Sequence, residues 1–214
     1  MIWVFVGAMA AAVAIQALVI RDAAGGPRAS TGLRLSEILA GPARDWDGDG
    51  LYDSKSDEWV EVENAGGAPV ALEEYRIADG DRTVRVALEG TLGPGEVKLL
   101  TGSAAVAWQR SQGLTTAGLS LNNAGDTVFL FHIEGADTVT ADAHAYGSIE
   151  GASDRSVGPP GPLGEAWMLY DALNPYTGTG TPPGTGCAPT PGRANACATG
   201  VESTTWGAIK RLYR

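Results

Sequence analysis

The sequence predicts an all-β domain, a sandwich or a barrel, preceded by an apolar helix. Three observations point there. Glycine and proline are frequent, 30 and 12 of 214 residues, which suits a chain rich in turns rather than in helices. Short β-branched runs recur at regular spacing with Gly, Pro and Asn punctuation between them. A loop near the start sets aspartates at alternate positions around two glycines, an insertion that needs a rigid scaffold on either side. At this length one domain with a sizeable core is expected, with flanking segments at both ends.

Ile2 to Ile20 is apolar apart from Gln16. As a helix this stretch would span about 28 Å, close to a bilayer core. Residues 1–24 are therefore either a signal peptide or a membrane anchor. Ala12, Ala14 and Ala17 have cleavage-like spacing, whereas the basic start of a signal peptide is missing and Arg21 follows the run. Either way the domain is expected outside the cytoplasm, secreted or in the cell envelope. Residues 25–32 form a polar linker.

Leu33 to Leu39 reads as the first strand. The acidic loop 45–58 follows: Asp45-Trp-Asp47-Gly-Asp49-Gly50-Leu-Tyr-Asp53, closing on Asp57-Glu58. In a calcium loop of this type, side chains at positions 1, 3 and 5 reach the ion. Glycine at position 6 makes the sharp turn, position 7 offers its carbonyl and position 9 ligates directly or through water. Counted from Asp45, these are Asp47, Asp49, Gly50, Leu51 and Asp53. The twelfth position should supply a bidentate carboxylate but is Ser56, so Asp57 or Glu58 is expected to close the shell. Carboxylates about 5 Å apart repel by roughly 3 kcal/mol at an effective dielectric of 20, and a divalent ion reverses that sign. Magnesium suits the set less well, because it keeps more of its water. The competing reading is a solvated acidic turn. Trp46 and Tyr52 either form an aromatic platform for a ligand or fold down to pin the loop.

Glu58 to Asn64 alternates acid and apolar residues, a half-buried strand with Trp59, Val60 and Val62 toward the core and the glutamates outward. Further strands are expected at Val70 to Ala78, Thr83 to Leu88, Val97 to Thr101, Asp126 to Ile133 and Asp137 to Tyr146. Trp108 and Trp167 are assigned to the core. Beyond Gly147 the pattern thins into loops. Cys187 and Cys197 are the two cysteines; in an oxidising compartment they close a small loop, and otherwise they are free thiols. Residues 197–214 read as a C-terminal tail.

The order of these signals resembles the lamin tail domain. The residues that carry the likeness are Leu33-Arg-Leu-Ser-Glu-Ile-Leu39, Glu58-Trp-Val-Glu-Val-Glu-Asn64, Val70-Ala-Leu-Glu-Glu-Tyr-Arg-Ile-Ala-Asp79 and Leu92-Gly-Pro-Gly-Glu96. Leu119 to Leu130 matches a turn before a long strand, and Ala188-Pro-Thr-Pro-Gly-Arg-Ala-Asn195 looks like the ending that closes such domains. The likeness covers about residues 31–196, so that the sandwich itself is placed at 33–196. It implies an immunoglobulin-like β-sandwich used for binding or tethering, with no shared catalytic site, and an acidic loop like the calcium loop of exported bacterial members.

Chemistry is sparse. His132 falls within an apolar strand. His144, near Asp142, is the one candidate base, for a hydrolase built on a metal in the acidic loop. Glu61 and Glu63 share one strand face, read as solvated. No nucleophile elbow, zinc helix or phosphate-cradling loop occurs. A net charge of −10 disfavours nucleic acid, since phosphate contacts need a basic surface. The expectation is thus a non-catalytic, calcium-stabilised module for a protein or carbohydrate ligand at the cell envelope, with membrane attachment through residues 1–24 if uncleaved. The alternatives are the hydrolase and a purely structural envelope protein that associates through sheet edges.

Overall fold

The computed structural model describes residues 20–21, 32–161 and 166–197. In chain order the strands are β1 (Ile20–Arg21), β2 (Leu33–Leu39), β3 (Trp59–Asn64), β4 (Val70–Ala71), β5 (Tyr75–Ala78), β6 (Val84–Ala87), β7 (Thr91–Leu92) and β8 (Val97–Thr101). A helix, α1 (Gly102–Ser111), comes next, followed by β9 (Gly125–Glu134), β10 (Asp137–Gly147), β11 (Ser156–Gly158) and β12 (Met168–Tyr170). One five-stranded sheet is ordered β1-β10-β9-β5-β6 and the other β12-β11-β2-β3-β8; β4 and β7 form a small ribbon. All pairings within the two large sheets are antiparallel except that of β1 with β10.

The two sheets bury one core between them, an immunoglobulin-like sandwich. Leu35, Ile38, Val60 and Val62 come from β2 and β3, and Val128, Leu130 and Tyr146 from β9 and β10. The strict period of two on β3 sends Val60 and Val62 to that core and Trp59, Glu61 and Glu63 to the other face. The β2–β3 register pairs Leu39 with Trp59, Glu37 with Glu61 and Arg34 with Glu63, so these six share the outer face. A register shift between Leu35 and Glu37 lets Leu35 and Ile38 both face inward although they are three positions apart.

The glutamates of β3 do not face solvent as their alternation suggests. Glu63, 4% exposed, pairs with the Arg34 guanidinium at 2.9 Å, and Glu61 is 0% exposed because the chain beyond Gly147 folds over it. That chain is not merely loop: β11 and β12 extend the sheet from the β2 edge. The stretch expected as one strand over 70–78 is broken into β4 and β5 by a turn at Leu72, whose carbonyl accepts the Tyr75 N–H at 2.9 Å.

Helix α1 has no counterpart among the elements expected from the sequence. Thr101 caps it by accepting the Ala104 N–H at 3.2 Å. Its inward positions are Ala105 and Gln109, so no leucine stripe advertises it. Gln109 Nε2 donates to the carbonyls of Arg85 and Gly118, at 2.9 and 2.8 Å, and its Oε1 accepts the Ala117 N–H at 2.7 Å. The helix lies against β6 and β8 and covers the edge-strand carbonyl of Arg85. Trp59 is fully buried, whereas Trp108 and Trp167 are half-buried and pack against the core from outside.

Of the apolar segment 1–24, only Ile20–Arg21 is described, as β1 beside β10; the rest of that expectation, like the tail 198–214, lies outside the described residues.

Candidate functional site

The loop between β2 and β3 is held at three points. Trp46 sets its ring edge-on to Trp59, with centroids 6.1 Å apart, and donates Nε1–H to Asp154 Oδ1 at 2.9 Å. Asp154 also accepts the Ala43 N–H and Arg44 Nε, each at 2.9 Å, and the Arg44 guanidinium lies 5.7 Å from the Trp46 ring centre. Trp46 therefore pins the loop instead of standing free. Asp57, fully buried, is the second anchor. Its Oδ1 accepts the Trp46 and Asp47 N–H groups at 2.6 and 3.0 Å, and its Oδ2 the Asp53 N–H at 2.8 Å. The third anchor is the start of α1, where the Gly102 and Ser103 amides donate to the carbonyls of Glu58 and Ser56 at 2.7 and 3.1 Å. A Cβ on Gly102 would collide with the Lys55 carbonyl, so this close approach requires glycine.

On this frame Asp45, Asp47 and Asp49 each offer a carboxylate oxygen, all within 4.8 Å of one another. The turn that gathers them passes through the left-handed region at Gly48 (φ 80°) and Gly50 (φ 88°). Nothing occupies the space a Cβ would take at either position; backbone conformation alone demands glycine there. Asp45 accepts the Gly48 and Gly50 N–H groups at 2.7 and 2.8 Å, and Asp49 accepts that of Leu51 at 2.7 Å. These bonds orient the carboxylates but leave lone pairs on each. Oxygens bound to one calcium at 2.3–2.6 Å lie at most about 5 Å apart, so the spacing fits such an ion, and the donor set is all oxygen.

The other expected ligands are placed differently. Asp53 turns to the amides of Lys55 and Ser56, at 3.0 and 2.8 Å, and these bonds hold its carboxyl below the usual carboxylate range. Asp57 serves the backbone as described. Glu58 is buried, accepts the Leu121 N–H at 3.2 Å, and is pushed up by burial to a pKa of about 8. Leu51 and Tyr52 stand 72% and 56% exposed at the tip, and the Tyr52 hydroxyl donates to the Pro42 carbonyl at 3.2 Å.

Neither histidine joins the acidic group. His132 stacks on Tyr75 across the strands, centroids 4.5 Å apart, between Glu74 and Glu134. His144 stacks on Trp167 at 3.4 Å between centroids, and burial pulls its pKa down to about 4. Among the described residues, the gathered group of metal-ligating types is Asp45, Asp47 and Asp49, without the histidine that the hydrolase reading requires.

A second polar centre lies on the outer face of β2 and β3. Glu37 and Glu61, cross-strand partners, are both 0% exposed. Glu37 accepts the Ser156 hydroxyl, the Thr190 N–H at 3.1 Å and the Thr190 hydroxyl at 2.5 Å. Glu61 accepts the Ser36 hydroxyl at 2.9 Å and the Gly192 N–H at 2.8 Å. Burial pushes both carboxyls up, Glu61 to about 7 with a further contribution from the Glu37 charge. Asn195 completes the cover by donating to the carbonyls of Ser36 and Pro159, both at 2.8 Å. Cys187 and Cys197 are joined in a disulfide, Cα atoms 5.5 Å apart, and the loop they close carries Thr190, Gly192 and Asn195.

Sequence reasoning overlooked Asp154, which no local pattern marks because its partners lie 108 to 111 residues away. It also left out Glu37 and took Glu61 for solvated. The signal that bore on these two was the Thr190-Pro-Gly192 ending, whose bonding partners the sequence does not name.

Two comparisons bear on the chain. The family model described as Lamin Tail Domain matches residues 27–148, that is, the chain from the linker to the end of β10. No curated protein gives a match.

Proposed function

This chain belongs to the lamin tail domain family, and from that premise we propose that it is a non-catalytic binding or tethering module, exported to the cell surface, whose acidic loop is stiffened by one calcium ion. The family is an immunoglobulin-like structural domain, compatible with such a role. The observation that carries the calcium reading is the gathering of Asp45, Asp47 and Asp49 oxygens within 4.8 Å of one another, on a loop already anchored by Trp46 and Asp57. These three carboxylates would hold the ion, with the Leu51 carbonyl and water supplying further oxygens, while Asp53, Asp57 and Glu58 stay with their backbone donors. Bound calcium would cancel the repulsion among the three carboxylates, and nothing more is asked of it. Tyr52 and Leu51, exposed beside them, would then present a fixed surface to a protein or carbohydrate of the envelope.

The test is a calcium titration by calorimetry, paired with melting curves in EDTA and in millimolar calcium. Extracellular modules of this kind bind at roughly 10⁻⁴ to 10⁻³ M, so 1 mM calcium is about one to ten times Kd and the linkage gain is about 0.4–1.4 kcal/mol. A raised Tm in calcium, absent from D45N/D49N, is expected. Identical melting of the native chain in calcium and in EDTA, with no heat of binding, rejects the ion.

A further inference from the structure

The Cys187–Cys197 bond does not tie one sheet to the other; it closes an eleven-residue segment on itself. The near end of that segment is fixed, since the Cys187 carbonyl accepts the Ala172 N–H at 2.9 Å just past β12. The far end, Cys197, is returned to that fixed point by the disulfide. Between the two, the segment crosses Glu37 and Glu61 and provides three of the donors they use: the Thr190 N–H, the Thr190 hydroxyl and the Gly192 N–H. Among the described residues, the other neighbours of the carboxylate pair are Ser36 on β2, Ser156 on β11, Tyr170 on β12 and Arg193 within the segment itself. A buried acidic pair with one nearby cation depends on those donors, because uncompensated carboxylates in a dry site are costly.

We propose that residues 187–197 are a redox-gated latch: the disulfide holds the segment closed over Glu37 and Glu61, and its reduction frees the segment and opens this acidic face to water. Both sulfurs belong to half-buried residues, within reach of a small dithiol. The step is thiol–disulfide exchange. A thiolate of the dithiol attacks one cysteine sulfur, the S–S bond breaks and the other cysteine leaves as a thiolate that takes up a proton. The second thiol then closes the reductant to its own disulfide and releases the remaining cysteine. The two electrons and two protons gained by the protein are those lost by the dithiol. The latch differs from a general staple because the cross-link lies within one covering segment, so its loss frees that segment before it frees the sheets.

Amide exchange followed by NMR on the full chain, before and after complete reduction with dithiothreitol, tests this. Loop-closure entropy for a ring of this size amounts to on the order of 100-fold in the open fraction. The Thr190 and Gly192 amides, which donate to Glu37 and Glu61, should exchange faster by about that factor, while those of β9 and β10 stay unchanged. Unaltered exchange in the segment overturns the proposal, and so does acceleration of the whole domain by one common factor. T190A supplies a second reading with the disulfide intact, because it removes a donor to Glu37 without touching sulfur. It should speed Gly192 exchange in the oxidised protein, and no change there also counts against the latch.

Discussion

Removing the Asp57 carboxylate would leave the amides of Trp46, Asp47 and Asp53 without their acceptor, at a fully buried position. Hydrogen bonds to a charged group are each worth roughly 1.5–3 kcal/mol, shared here among three donors, so D57A should cost on the order of 3 kcal/mol. Urea unfolding in EDTA measures this apart from any ion, and a loss below about 1 kcal/mol, the size of an ordinary substitution, would mean that the loop is held elsewhere. Titration adds a second residue-scale expectation. Glu61 has an ordinary pKa of 4.5, raised to about 7 in the fold, so its contribution to stability is complete below pH 4.5 and is lost as pH rises through 7. His144 runs the other way: pulled from 6.5 to about 4, it contributes above pH 6.5 and loses that contribution as pH falls toward 4. Glu58, raised from 4.5 to about 8, slopes the same way as Glu61, so the two glutamates oppose His144 between 4.5 and 6.5, and above 6.5 they remain, Glu61 to about pH 7 and Glu58 to about pH 8. Urea midpoints should therefore decline from about pH 6 to about pH 8, and E61Q should lessen the decline below about pH 7 while leaving that of Glu58; an unchanged slope below pH 7 in E61Q refutes the assignment.

At the scale of elements, α1 is held less by apolar area than by Gln109, whose amide joins the helix to the β6 edge and to the loop at Ala117 and Gly118. Q109A would orphan two carbonyls and one amide, and a loss of about 2–3 kcal/mol is expected. Circular dichroism with thermal melting checks it; a variant as stable as the parent would show that Ala105 and Trp108 suffice. The helix was illegible in the sequence for the same reason, since its buried face reads as alanine and glutamine. The acidic loop is the opposite case. Its spacing of aspartates and glycines is local, and Gly48 and Gly50 sit at positive φ because the turn demands it, so residue order alone carried the gathering of carboxylates as far as Asp49. Beyond Asp49 the local pattern misleads, because Asp57 and Glu58 answer to partners in the β2–β3 loop and at Leu121.

Across the whole molecule, the family match ends at residue 148, whereas the outer face of β2 and β3 is covered by residues C-terminal to that point. Of the donors to Glu37 and Glu61, only Ser36 lies within the matched range; Ser156, Thr190 and Gly192 lie beyond it. A chain cut after residue 148 would strip both carboxylates on that face of their C-terminal donors and lose β11 and β12. We expect residues 27–148 to lack a cooperative melting transition, whereas residues 20–197 retain one. Calorimetry of the two fragments decides the matter, and a sharp transition in the shorter piece would make the C-terminal segment an accessory.

Sequence by itself determined the order of the main strands, the turns and the gathering of aspartates, because period-two alternation and glycine conformation act over a few residues. Tertiary structure alone decided that Glu37 and Glu61 are buried, that Trp46 is pinned by Asp154 and that a helix closes the β6–β8 end. Each of these rests on a partner brought close only by folding, up to 153 residues away for Glu37 and Thr190, and burial is a property of such partners rather than of the residue that they cover.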